Sequence, residues 1–319
     1  MRENMTDIIT LGELLIDFTA CGKNENGQRL FVQNPGGAPA NVAVAVARLG
    51  GKAAFIGKVG DDMHGRFLAE TLKENNVNCN SLILDKDFFT TLAFVDVRAD
   101  GEREFSFARK HGADKMLSPD DVPVEKIKGS KIFHFGSVSL TDGPSRSATL
   151  FAAEYAKNNG VTVAYDPNYR ASLWESEEAA IKQMQNALKL ADLVKISDEE
   201  TILLTGEKDF AKAAERIIES GAKIAVVTLG KDGAYVCTKD GGAQVDGFNV
   251  TAVDCTGAGD SFWGAFLLKV AQSGKKPEEI SLDELKDFAH FANAAASFCV
   301  ERNGAIPSLP TIKDIEKRL

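Results

Sequence analysis

The stretch VTVAYDPNYRASLWESEEAAIKQMQNALKLADLVKIS, residues 161–197, decides the fold. It opens on a short apolar run, VTVAYDPN (161–168), and closes on another, ADLVKIS (191–197). Between them EEAAIKQMQNALKLA (177–191) carries apolar residues at helical spacing behind two glutamates, which suit the positive end of a helix. Strand, helix, strand with two nearly continuous apolar strands is the unit of a parallel sheet covered by helices.

The alternation continues outward in both directions. Candidate strands IITLGELLIDF (8–18), AAFIGKVG (53–60) and KIFHFGS (131–137) precede it, and KIAVVTLG (223–230) follows. Amphipathic stretches PANVAVAVARLGG (39–51), SRSATLFAAEYAKNNG (145–160) and DFAKAAERIIESG (209–221) each stop at Gly, as helix C-termini often do. Right-handed crossovers between such strands give an α/β class fold, a three-layer α/β/α core around a mainly parallel sheet. Two segments break the rhythm. TLAFVDVRADGEREFSF (91–107) alternates polar and apolar residues about Asp100-Gly101, a hairpin dipeptide, and reads as an antiparallel ribbon. Residues 14–33, with Gly22 and Gly27, supply further ribbon strands. The expectation is a single domain over 1–319, with a small β lid from about 14–33 and 90–110 inserted into the core.

Composition narrows the partners. A formal net charge of -9 without clustered Lys and Arg argues against nucleic acid and leaves small molecules and other protein chains. The five cysteines lie far apart and form no CxxC pair, so they read as thiols of a reducing cytoplasm. With no leader-like start and no 18-residue apolar window, neither secretion nor membrane insertion is expected. GxGxxG is missing after the first strand and GxxxxGK[ST] is missing altogether, which excludes the two commonest phosphate cradles. What remains is DCTGAGDSFWG (254–264). Small residues at 257–259 let main-chain N–H groups converge ahead of an apolar helix start, a place that attracts an anion. Asp260 there is either a helix cap, which its residue type favours, or a group acting beside a phosphoryl site.

These motifs resemble the PfkB, or ribokinase-like, carbohydrate kinases, in the expected order and over nearly the whole chain. NPGGAPANVAVAVA (34–47) is similar to the family's N-terminal signature and VDCTGAGDSFWG (253–264) to its C-terminal one. The resemblance implies ATP-dependent phosphorylation of a small sugar hydroxyl. Asp260 would be the general base, and the N–H groups of Gly257, Ala258 and Gly259 the anion hole. Sugar contacts are implied for Asp17, Gly36, Gly37 and Asn41, and for the lid residues Arg98, Phe105 and Phe107. In DPNYRASLW (166–174), Asn168 and Arg170 join them, Arg170 either pairing with the carboxylate of a sugar acid or serving structure alone.

For the nucleotide, TLGKDG (228–233) offers Thr228, Gly230 and Gly233, unless it is a plain strand-exit turn. Asn293 in FANAAASF (291–298) lies either against the adenine or on a helix surface, and Lys195 either reaches a phosphate or is simply solvated. SDEE (197–200) stands where the family carries NxxE: Glu200 would organise Mg2+ through water, with Ser197 in place of the Asn. Asp254, Thr256, Gly304 and Ser308 match positions of a monovalent cation site, expected to take K+. The wording most resembles fructokinases, so fructose is the expected sugar. Kinases of 2-keto-3-deoxygluconate or aminoimidazole riboside are alternatives, and a non-catalytic sugar- or nucleotide-binding regulator is the reading from another class. Two copies are expected to pair through the lid as a homodimer.

Overall fold

The run 8–18 reads as one strand, but the computed structural model, which describes residues 5–97 and 103–319, divides it. Strand β1 (Thr6–Leu11) belongs to one sheet and β2 (Leu15–Lys23) to another. The break falls at Gly12, where a Cβ would stand 2.6 Å from the Pro39 ring, so the chain can cross this helix start only without a side chain.

Among the described residues the other strands are β3 (Arg29–Gly36), β4 (Ala53–Gly60), β5 (Asn78–Asp85), β6 (Leu92–Val97), β7 (Arg103–Ala108), β8 (Ser130–Gly136), β9 (Thr162–Asp166), β10 (Leu193–Ser197), β11 (Ile224–Thr228), β12 (Ala234–Thr238) and β13 (Gly241–Val245). Nine of the strands form one sheet in the order β13-β12-β11-β10-β9-β8-β1-β4-β5. All its neighbours are parallel except β12, which is antiparallel to both β11 and β13. The second, smaller sheet has the order β3-β2-β6-β7. Its β6–β7 pair is the expected antiparallel ribbon, Val95 opposite Phe105, while the turn that holds Arg98 and Asp100-Gly101 lies outside the described residues. Sequence reading passed over β5, β12 and β13. These lie at or near the sheet margins, and NCNSLILD and GGAQV are partly exposed, so they lack the continuous apolar signal of a central strand.

Consecutive residues of a strand point to opposite faces, and the core divides accordingly. Ile8, Phe55 and Ile132 pack with helices Ala38–Arg48, Ala258–Ser273 and Leu282–Cys299. Ile9, Ile56 and Phe133 pack on the other side with helices Gly143–Asn158, Glu177–Leu188 and Phe210–Glu219. The result is three layers, α/β/α. β1 lies between β8 and β4, so chain connections leave it in opposite directions, and ligands of open α/β sheets bind at the carboxyl ends of strands beside such a reversal. Among the described residues no helix is long and apolar enough to cross a membrane.

Candidate active site

A cleft of about 710 Å³ opens at those carboxyl ends, and its wall includes Asp17, Gly37 and Asn41 with Phe107, Asn168 and Arg170. Far apart in sequence, these expected sugar contacts are thus brought together. Gly36 adjoins them at the end of β3, where a side chain would run into the Asp17 carboxylate. Gly37 has φ 112°, and a Cβ on it would strike the Glu13 carbonyl, so the helix beginning at Ala38 can approach the cleft only through glycine. Phe105 occupies the same strand as Phe107. Arg170 is exposed and donates to its neighbour's carbonyl, Tyr169 O, at 3.0 Å.

Asp260 does not cap. Gly257 is the N-cap of helix Ala258–Ser273 at φ 80°, no side chain caps it, and Asp260 sits in the first turn with its carboxylate turned toward the cleft wall. Its Oδ2 accepts a hydrogen bond from Asn41 Nδ2 at 2.7 Å and its Oδ1 one from Asn168 Nδ2 at 3.3 Å. Asn168 reaches it from left-handed backbone, φ 46°, a conformation uncommon outside glycine. Burial, reinforced by the negative charge of Asp166, pushes the Asp260 carboxyl up from 3.8 to about 6, against the pull of Asn41, Lys195 and Arg170. The group is therefore ionised at neutral pH while keeping a substantial proton affinity, which suits a general base.

The Ala258 N–H donates to the Cys255 carbonyl at 3.2 Å, which removes it from the expected set of anion-hole donors. Among the described residues no hydrogen bond engages the N–H of Gly257 or Gly259. A Cβ on Gly259 would lie 3.2 Å from Lys195 Nζ, so the missing side chain brings the ammonium beside the turn. Lys195 is not solvated. It is buried and pairs with buried Asp166 at 2.6 Å. Burial disfavours its charge, but Asp166 and Glu200 outweigh that, and its pKa ends above the usual lysine value. Burial and Asp166 hold the Glu200 carboxyl above its usual range. Glu200 Oε1 accepts from the Tyr169 N–H at 2.7 Å, and Oε2 from the Ser197 N–H at 2.8 Å and Ser197 Oγ at 3.2 Å. Ser197 thus has a definite task, fixing the Glu200 carboxylate.

Thr228, Gly230, Gly233 and Asn293 do not line this cleft. Asn293 is buried rather than on a helix surface, and its Nδ2 donates to the carbonyls of Val245 at 3.1 Å and Asp246 at 3.0 Å. Gly233 packs against the same segment, since a side chain on it would meet the Val245 carbonyl. Thr228 Oγ1 donates to Ile196 O at 3.4 Å, and nothing lies within 4 Å of where a Gly230 side chain would start. Asp254 staples two loops: Oδ1 accepts from the Thr256 N–H at 2.7 Å and Oδ2 from the Gly304 N–H at 3.0 Å. Ser308 is buried and donates to Ala305 O at 2.8 Å. Among the described residues no group of three or more His, Cys, Asp or Glu is arranged to hold a metal ion.

Sequence reading overlooked Glu13. It lines the cleft at 4% exposure, and its Oε1 accepts from the Ala38 N–H at 2.9 Å. The available signal was a carboxylate inside the apolar run LGELLIDF, where an unpaired charge is rarely buried.

The fold and this constellation agree with the family's sequence model, which matches residues 5–312: the chain belongs to the pfkB family of carbohydrate kinases. It is 44% identical to a probable fructokinase-4 of Arabidopsis thaliana, over 98% of this chain and 96% of that protein. Among solved structures, fructokinase with bound ATP from Xylella fastidiosa matches with a TM-score of 0.89 at 33% identity, covering 97% of both chains. Fructokinase from Vibrio cholerae O395 in its fructose, ADP and calcium ion bound form matches with a TM-score of 0.89 at 34% identity, covering 98% of both.

Proposed function

We propose that the chain transfers the γ-phosphoryl group of ATP to fructose, giving fructose 6-phosphate and ADP. The observation that carries the reading is the buried Asp260 carboxylate, ionised above about pH 6, in the wall of a cleft beside the Gly257–Gly259 turn. As the sugar oxygen bonds to the γ-phosphorus, Asp260 takes its proton and the bond from that phosphorus to the leaving ADP oxygen breaks. Asp260 then returns the proton to solvent. The N–H groups of Gly257 and Gly259 and the Lys195 ammonium offset the charge on the transferring group. A positioned base of this kind contributes about 100- to 10,000-fold, or about 3 to 5.5 kcal/mol of barrier.

Asp17, Gly37, Asn41 and Asn168 hold the sugar, with Phe107 and Arg170 at its margins; Gly36 keeps the backbone close. Mg2+ fits at Glu200. A carboxylate accepts about four hydrogen bonds, and the three present leave room for a metal-bound water. When bound, Mg2+ neutralises phosphate charge. The segment around Val245, pinned by Gly233 and Asn293, borders the nucleotide base, and carbonyls around Asp254, Thr256, Gly304 and Ser308 hold K+. The face of the small sheet turned away from Asp17 and Val95 exposes Phe31 and Phe94, which supports pairing of two copies through it.

The test is ADP release with fructose, ribose, 2-keto-3-deoxygluconate and aminoimidazole riboside. Fructose should give the highest kcat/KM. Tight sugar binding without ADP release would favour the regulator, and a higher kcat/KM for another sugar would replace fructose.

A further inference from the structure

Two side chains of the cleft wall are only half satisfied. Glu13 and Asn41 are each 4% exposed, and each commits one end to the protein frame. Glu13 Oε1 holds the Ala38 N–H at 2.9 Å, and Asn41 Nδ2 holds Asp260 Oδ2 at 2.7 Å. Their other ends, Glu13 Oε2 and Asn41 Oδ1, are buried without a hydrogen-bond partner among the described residues. Orphaned buried acceptors are uncommon in folded proteins because each costs free energy until a donor reaches it. Both belong to residues of the cleft wall, and Ala38 and Asn41 lie one helical turn apart.

On the reading of the chain as a sugar kinase, we propose that Glu13 is a further substrate-binding residue, its unpartnered oxygen and that of Asn41 together holding one hydroxyl of the sugar. A hydroxyl fits because it donates to the amide oxygen and accepts from a protonated carboxyl. A sugar-acid carboxylate does not fit both, since it could accept from the protonated carboxyl but would meet the Asn41 amide oxygen as acceptor against acceptor. The titration of Glu13 agrees with this geometry: burial pushes its carboxyl up to about 7, the Ala38 hydrogen bond and Arg109 pull it down, and Asp114 opposes them. Asp17, Arg170, Lys195, Glu199, Cys255 and Asp260 are the other ionisable residues around the cleft. Sealing the site with sugar therefore favours the protonated carboxyl.

The experiment compares the full-length wild type with Glu13→Gln, which keeps an acceptor for the Ala38 N–H and imitates the protonated group. KM for fructose and kcat are measured from pH 6 to 8.5 at saturating ATP. The wild-type KM should be flat below about pH 7 and climb toward 10-fold per pH unit above it, while the variant's KM stays level. A second variant, Glu13→Met, should raise KM for fructose about 10- to 100-fold with little change in kcat. Against the monodeoxy fructose that lacks the recognised hydroxyl, its KM should equal the wild type's. The proposal falls if Glu13→Gln follows the wild-type KM at every pH, as a purely structural helix-start contact requires, or if Glu13→Met weakens every monodeoxy sugar equally. Should Glu13→Met fail to fold, the Glu13→Gln profile decides alone. No turnover of fructose by the wild type would instead overturn the kinase reading on which this rests.

Discussion

Asp260→Asn separates chemistry from architecture. The carboxyl is driven from 3.8 to about 6 by burial and by Asp166, a gap worth roughly 3 kcal/mol. Because the folded-state value is raised, the protonated folded form is favoured, and this contribution to stability is complete below about pH 3.8 and lost as pH rises through about 6. At pH 7.5 the wild type therefore carries the full cost of a buried anion, which a neutral amide removes. The hydrogen bonds can be kept, because Asn41 has an unpartnered Oδ1 that a flip of its amide would offer to the new NH2 group. Unfolding in urea at pH 7.5 should show Asp260→Asn as stable as the wild type or more so, by up to about 3 kcal/mol, with the difference vanishing near pH 3.5. Turnover, followed as coupled ADP release, should fall about 100- to 10,000-fold. Near-wild-type turnover would refute the base assignment. A large loss of stability would refute the structural argument, since it would mean that the charged form contributes to holding the helix.

Wild-type kcat should fall toward tenfold per pH unit as pH drops below about 6, where Asp260 takes up its proton; a kcat unchanged down to pH 5 would contradict this. Lys195→Ala strands the buried Asp166 carboxylate and should cost about 3 to 5 kcal/mol in urea unfolding, whereas Lys195→Met with Asp166→Leu should recover most of that stability and none of the turnover. Gly37→Ala should lose about 1 to 3 kcal/mol and raise KM for the sugar, because φ 112° and the Glu13 carbonyl both exclude a side chain; a silent substitution would show that this helix start can retreat. Replacing K+ and Na+ with a bulky organic cation should lower kcat several-fold, and indifference would remove the cation from the loops that Asp254 joins.

Elements with strong local signals were legible in the sequence. Val163 and Ile196 lie in short apolar strands, and the helix Glu177–Leu188 between the two strands keeps its apolar side at helical spacing, so nothing distant was needed to see a βαβ unit. Gly12 shows where such reading stops. Apolar runs lie on either side of the Gly12-Glu13 pair, and the break depends on Pro39, a contact between chain segments that a local window does not contain.

The site divides along the same line. Asp17, Asn41, Asn168 and Asp260 were marked by residue type and motif, and the tertiary structure brings all four to one cleft. Residue type alone pointed to Asp260 as a cap, and only the packing of two distant asparagines on its carboxylate shows otherwise. Ala258 spends its N–H on Cys255, Asn293 spends its amide on Val245 and Asp246, and Ser197 turns to Glu200. Those partners are settled by how loops pack, which no spacing encodes.

The sequence by itself determined the alternation of strand and helix, the glycines that admit a close backbone, and the carboxylate beside them, because periodicity and backbone freedom are local properties. Only the tertiary structure decided which polar atoms remain unsatisfied and which carboxyls are pushed toward neutral pH, Glu13 and Asp260 above all. The physical reason is that desolvation and hydrogen-bond partnership are set by neighbours from distant parts of the chain, and those neighbours exist only once the chain has folded.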